Sequence, residues 1–140
     1  MKHLSLLMVI VSCVGCTTHP TPISKVLEEP LTYNNQHVRV CGLLMDNIES
    51  CFLREGPGKP VKDDATALEV SPGVWINMPN ETCVPDNPHP LGGPAMQAWV
   101  TVTGTFRTGS SYGHLGGAQH EIEATKVEPY DGSCEVLSGA

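Results

Sequence analysis

The chain has 140 residues, enough for one domain of ordinary size and not two. Charged residues make up 16%, against about 25% in an average soluble chain, and eight basic side chains face fifteen acidic ones for a formal charge of −7. A polyanion-binding surface is hard to build from so few scattered cations, which excludes nucleic acid as the expected partner.

Met1-Lys2-His3 is a short positive start. Leu4 to Val14 is then apolar except for Ser5, Ser12 and Cys13. That run of about eleven residues has the length of a secretory h-region and is too short to cross a bilayer as a helix. Val14-Gly15-Cys16-Thr17-Thr18 follows. The segment resembles a bacterial lipoprotein signal, in which small residues precede a Cys that is lipidated on its sulfur and becomes the mature N-terminus. The resemblance implies a signal peptide over 1–15 and a lipid anchor on Cys16. Neither Thr17 nor Thr18 is Asp, so the implied location is the outer membrane, on its periplasmic face. Cys13 fits a shorter version of the same motif. Parity favours Cys16, because Cys41, Cys51, Cys83 and Cys134 then remain, and four thiols in an oxidising compartment make two disulfides.

After a polar tether, Ser24 is placed to cap a short helix over 25–29 that Pro30 ends. Residues 31–36 read as a turn. From His37 the pattern changes to period two, with Val38, Val40, Gly42 and Leu44 on one face. Residues 51–54 form a second short strand, and Glu55 to Pro60 reads as loop. Residues 67–70 form a third strand with Leu68 and Val70 inward, and Val74-Trp75-Ile76 is strand-like as well. Pro79 to Pro94 is too rich in Pro for a central strand or a helix. The clearest strand runs from Ala98 to Arg107, with Val100, Val102, Gly104 and Phe106 on one face and Trp99, Thr101, Thr103 and Thr105 on the other. A Gly-rich loop over 109–117 leads to a last strand over 120–127, where Ile122 and Ala124 share a face. Residues 131–140 form a short tail.

Val38 to Leu44 and Val100 to Phe106 share the pattern V-x-V-x-G-x-[LF]. A Gly in phase with the inward residues of a strand marks sharp curvature or a bulge. Five strands with long connections, two of them kinked at Gly, suit a mainly β protein built as a small five-stranded barrel of the OB type, with a short N-terminal helix. The chain from Leu31 to Pro129 resembles OB-fold domains of bacterial envelope proteins. The implied organisation is a signal over 1–15, a tether and helix over 16–30, a barrel domain over 31–130 and a tail over 131–140. Cys41 and Cys51 lie on successive strands that should be antiparallel, so they are placed to bridge across a hairpin. That leaves Cys83 to pair with Cys134.

No G-x-S-x-G, P-loop or H-E-x-x-H pattern occurs, and an even cysteine count in an oxidising compartment leaves no free thiol nucleophile. The chain is therefore expected to be no enzyme and to carry no cofactor. Trp99, Thr101, Thr103 and Tyr112 are the candidate binding residues, since an exposed Trp beside threonines makes a contact platform. His114 and His120 are weak candidates for a metal or small-ligand sensor, because H-x5-H-E matches no metal motif. The function expected from these features is a lipid-anchored periplasmic module that docks to, or inhibits, another envelope protein. An acidic surface favours a basic partner.

Overall fold

The computed structural model describes residues 19–47, 50–56, 59–61, 64–69, 73–78, 96–130 and 134. The expected signal peptide, Cys13, Cys16, Val70, Cys83, the Pro-rich stretch 79–94 and most of the tail lie outside these residues. The chain is mainly β. Its elements are β1 (Thr21–Pro22), α1 (Ile23–Glu28), α2 (Pro30–Tyr33), β2 (His37–Asn47), β3 (Ser50–Arg54), β4 (Lys59–Val61), β5 (Asp64–Glu69), β6 (Val74–Asn77), β7 (Met96–Tyr112) and β8 (Ala118–Pro129).

Six strands form one sheet in the order β1-β2-β3-β6-β8-β7, and a further β2–β7 ladder closes its hydrogen bonding into a ring. All pairings within the ring are antiparallel except β6–β8. β2 changes neighbour along one edge. Val40 and Cys41 pair with β1, and from Leu43 onward the partner is β3. The change occurs at Gly42, where a Cβ would stand 2.6 Å from the Arg54 carbonyl oxygen and 2.9 Å from Leu53 Cγ.

The sequence echo has a physical basis. Its two copies pair with each other, Val38 opposite Gly104, Val40 opposite Val102 and Gly42 opposite Val100. Each Gly thus faces a Val, and the missing side chain lets a neighbouring backbone close in. Beneath them the period-two residues make the core: Val38, Val40, Leu44, Leu53, Val74, Ile76, Val100, Val102, Phe106, Ile122 and Ala124 are buried together. Helix α1 covers this core with Ile23 and Val26, one turn apart.

Three local expectations are corrected. Ser24 is not a cap: α1 starts after Pro22 without any side-chain cap, and Ser24 Oγ is buried with no partner. Pro30 does not merely stop a helix but opens α2 at its first turn, where its missing N–H costs nothing. Lys59 and Pro60 are strand rather than loop, because the β4–β5 ribbon is a separate two-stranded sheet whose irregularity at Pro60/Val61 tolerates a proline.

The disulfide pairing also differs. Cys41 is bonded to Cys134, with Cα atoms 5.8 Å apart, so neither Cys41–Cys51 nor Cys83–Cys134 forms. Register and alternation explain this. Cys51 stands opposite Asp46, five positions past Cys41, and belongs to the core, whereas Cys41 shares the opposite face of β2 with Arg39 and Leu43. Cys51 is itself disulfide-bonded, to a cysteine outside the described residues.

Candidate functional site

Strand alternation decides what the ring presents outward. On β2 and β7 the outer rows are His37 beside Thr105, Arg39 beside Thr103, Cys41 beside Thr101, and Leu43 beside Trp99. The middle of this face is covered. Cys134 is bonded to Cys41, the Tyr130 N–H donates to the Trp99 carbonyl at 2.9 Å, and Thr101 is only 2% exposed. Thr101 therefore offers no surface to a partner. Thr103 is half-buried, and its carbonyl accepts from Thr125 Oγ1. Trp99 remains 36% exposed at the uncovered end.

Trp99 does not stand alone. The register continues from Trp99 through Leu43 to Arg54, and in the adjoining row from Met45 through Phe52 to Trp75. Phe52 and Trp75 meet edge to face with ring centroids 5.4 Å apart, a favoured aromatic geometry. The Arg54 guanidinium lies 5.9 Å above the Phe52 ring, and its Nη1 reaches the Met45 sulfur at 3.2 Å. Arg54 Nε is buried without a partner. Small residues keep the stripe open: a Cβ on Gly56 would meet the Trp99 ring at 4.0 Å, and one on Gly73 would press on Phe52 at 3.0 Å. Beyond Trp75, Asn77 donates to the buried Glu121 carboxylate at 2.6 Å, and Arg107 pairs with Glu123 on the same face.

Met45, Phe52 and Arg54 are contributors that sequence reading missed. Each strand is short, and only cross-strand register brings them beside Trp99 and Trp75. The signal available was phase, since Leu53, Val74 and Ile76 point inward and their neighbours must point out.

The Gly-rich loop is folded onto the stripe's far end. Gly113 has φ +81°, and a Cβ there would stand 2.9 Å from the Trp75 ring. Tyr112 is half-buried beside this contact, at the end of β7, while His114 is exposed. His120 lies elsewhere, on the core side of β8, stacked on Phe106 at 5.7 Å with its Nδ1 2.8 Å from Thr108 Oγ1. Among the described residues, no group of three His, Cys, Asp or Glu side chains is arranged to hold a metal ion.

Burial holds the His120 pKa below its ordinary 6.5. The folded protein then takes up this proton less readily than the unfolded chain does. Its contribution to stability is complete above the unfolded value and is lost as pH falls through it toward the depressed folded value. Urea midpoints compared at pH 7.5 and 5.5 should fall at the lower pH, and by less in a His120→Gln variant. An identical fall in both proteins would remove His120 from the explanation.

No protein-family model matches the chain, and neither the curated proteins nor the solved structures provide a match.

Proposed function

We propose that the protein is a lipid-anchored module on the periplasmic face of the outer membrane, and that it binds another envelope protein without catalysing a reaction. The anchor is Cys16, and the binding body is the ring of β2, β3, β6, β8 and β7, read as a small OB-type barrel. Numbered along the chain as first to fifth, these strands follow the closed order 1-2-3-5-4-1 with a parallel third–fifth pair. Register around the ring supports closure. Phe52 is level with Met45 directly, and level with position 35 when followed through Trp75, Glu121 and Arg107. A stagger of that kind is what tilted strands in a barrel require.

The observation that carries the docking reading is the outer stripe of Trp99, Arg54, Met45, Phe52 and Trp75 across four neighbouring strands, packed around the buried Leu43. Trp, Tyr and Arg dominate the energetics of protein interfaces, above all where neighbours exclude water. Arg54, with one unpartnered nitrogen, supplies direction to an otherwise apolar patch, and the acidic remainder of the surface steers a basic partner.

The test is quantitative capture of partner proteins from envelope extracts by the mature protein and by its Trp99→Ala variant, with the N-terminal peptide weighed for a lipidated Cys16. Trp99→Ala should weaken the captured partner by about 2 kcal/mol, roughly thirtyfold, while leaving the melting temperature nearly unchanged. Equal capture by the two proteins would overturn the docking face, and an unmodified Cys16 would overturn the anchor.

A further inference from the structure

At the opposite end of β2 from Trp99, an open groove of about 430 Å³ runs between the N-terminal segment, α2 and the first residues of β2. Its volume falls in the range of small-ligand sites. Along the strand it lies about 20 Å from Trp99, since Leu43 follows His37 by six residues at roughly 3.3 Å each. Its lining is unlike the rest of this acidic chain. His19, His37 and Arg39 supply cationic or N–H-donating groups, Gln36, Thr32 and Tyr33 supply further donors, and no Asp or Glu contributes. The charged residues of α1, Lys25 and Glu28, and Glu29 just after it are exposed and do not line it. Val26 forms part of the floor.

Two further observations select the occupant. Leu31, next to Thr32 at the groove's rim, is 80% exposed, so its side chain is free to enter an apolar phase beside the groove. The chain also enters the described domain here, because His19 lines the groove only three residues after Cys16. A lipid attached at Cys16 holds this end of the molecule, and no other, against the bilayer surface.

We propose that the groove seats the phosphodiester of a phospholipid headgroup, with Leu31 entering the interface beside it. The proposal rests on the Cys16 anchor in one respect, that the anchor brings the groove to the membrane. Imidazole N–H groups of His19 and His37 and the Arg39 guanidinium are donors suited to phosphate oxygens. Arg39 already has an interaction of its own within the protein, so the two imidazoles carry the test of the site. The anchored domain is thereby held in one orientation, with the Trp99 stripe about 20 Å along β2 from the lipid-facing end.

The experiment is hydrogen exchange of the mature protein in maltoside micelles, which hold no phosphate, and in phosphatidylglycerol–phosphatidylethanolamine vesicles. Backbone amides of residues 30–39 should exchange about tenfold more slowly in vesicles, with β7 and β8 unchanged. His37→Gln combined with His19→Gln should abolish that protection, and Leu31→Ser should reduce it, each with an unchanged melting temperature. Equal exchange in micelles and vesicles overturns the proposal. So does protection by glycerophosphate in micelles to which vesicles add nothing, because the ligand is then a free anion. The mass of the N-terminal peptide reads the anchor separately. A lipidated Cys16 without protection overturns the groove alone, whereas protection with an unmodified Cys16 supports the groove and overturns the anchor.

Discussion

Replacing Cys41 and Cys134 together by alanine is expected to lower the unfolding free energy by about 4 kcal/mol, from the loop-closure entropy that a long cross-link removes from the unfolded chain. The two cysteines are 93 residues apart in sequence, so their bond closes nearly the whole described domain into one loop. Both are buried, at 1% and 7% exposure, and the bond places Cys134 at Cys41, which stands opposite Thr101 in the middle of the outer face. Against a typical total of about 5–15 kcal/mol, a loss of that size removes a large share of the margin. Guanidinium melts of the oxidised protein and the double variant measure it directly. A difference under about 1 kcal/mol would mean that the unfolded chain is already compact there or that the cross-link is strained in the fold. Peptide mapping of the oxidised protein should return Cys41 joined to Cys134. Cys51 should be joined to Cys83, the remaining thiol if Cys13 leaves with the signal and Cys16 carries lipid.

How much of this was legible beforehand depends on the range of the interactions involved. Period-two alternation placed Val38, Val40, Leu44, Val100, Val102 and Phe106 inward, and all six are buried. Local pattern suffices there, because a strand with one face in a core has only one acceptable phase. The two in-phase glycines were legible as sites of curvature for the same reason. The cysteine pairing was not. It depends on which positions of β2 and β3 stand opposite each other, and the offset of Cys51 to Asp46 is set by the connection between the strands, not by either strand alone. Helix starts were misread where tertiary packing outweighs capping. Ile23 and Val26 are buried against the sheet, and that burial holds a six-residue helix without any cap, although Ser24 loses a hydrogen bond by it. The candidate site was half legible. Trp99 and Trp75 stand out as residue types, but Met45, Phe52 and Arg54 join them only through register across three ladders.

The outer surface divides along β2 into three parts. The groove and its donors occupy the His37 end, the Cys41–Cys134 bond occupies the middle, and the aromatic stripe begins at Leu43. A single strand thus carries both proposed contacts, and its rise sets their separation. Loss of the disulfide is expected to free Cys134 from Cys41 and open the middle of this face. Trp99 would then sit on a face whose centre is newly exposed, so partner binding should weaken in the reduced protein even at temperatures where the ring stays folded.

Gly104→Ala is the single substitution expected to do most harm for its size. The residue has no positive φ, and backbone strain is not its problem. Its position beside the β7–β8 irregularity brings the Glu123 carbonyl and the Ala124 Cα, 2.8 Å away, into the space a Cβ would fill. These are backbone atoms of a paired strand, and neither can move without opening the ladder that carries Phe106 opposite Ile122 in the core. Crowding against fixed backbone costs about 3 kcal/mol, for the addition of one methyl group. Gly109→Ala is the control with the opposite balance. Gly109 has φ +88° and open space around its missing Cβ, so the penalty is confined to the left-handed backbone, about 1 kcal/mol. Urea melts of the two variants should therefore separate by about 2 kcal/mol, with Gly104→Ala the weaker protein. A reversed order would mean that the β7–β8 ladder can spread at Gly104, and that the shared V-x-V-x-G pattern reflects something other than close approach of neighbouring strands.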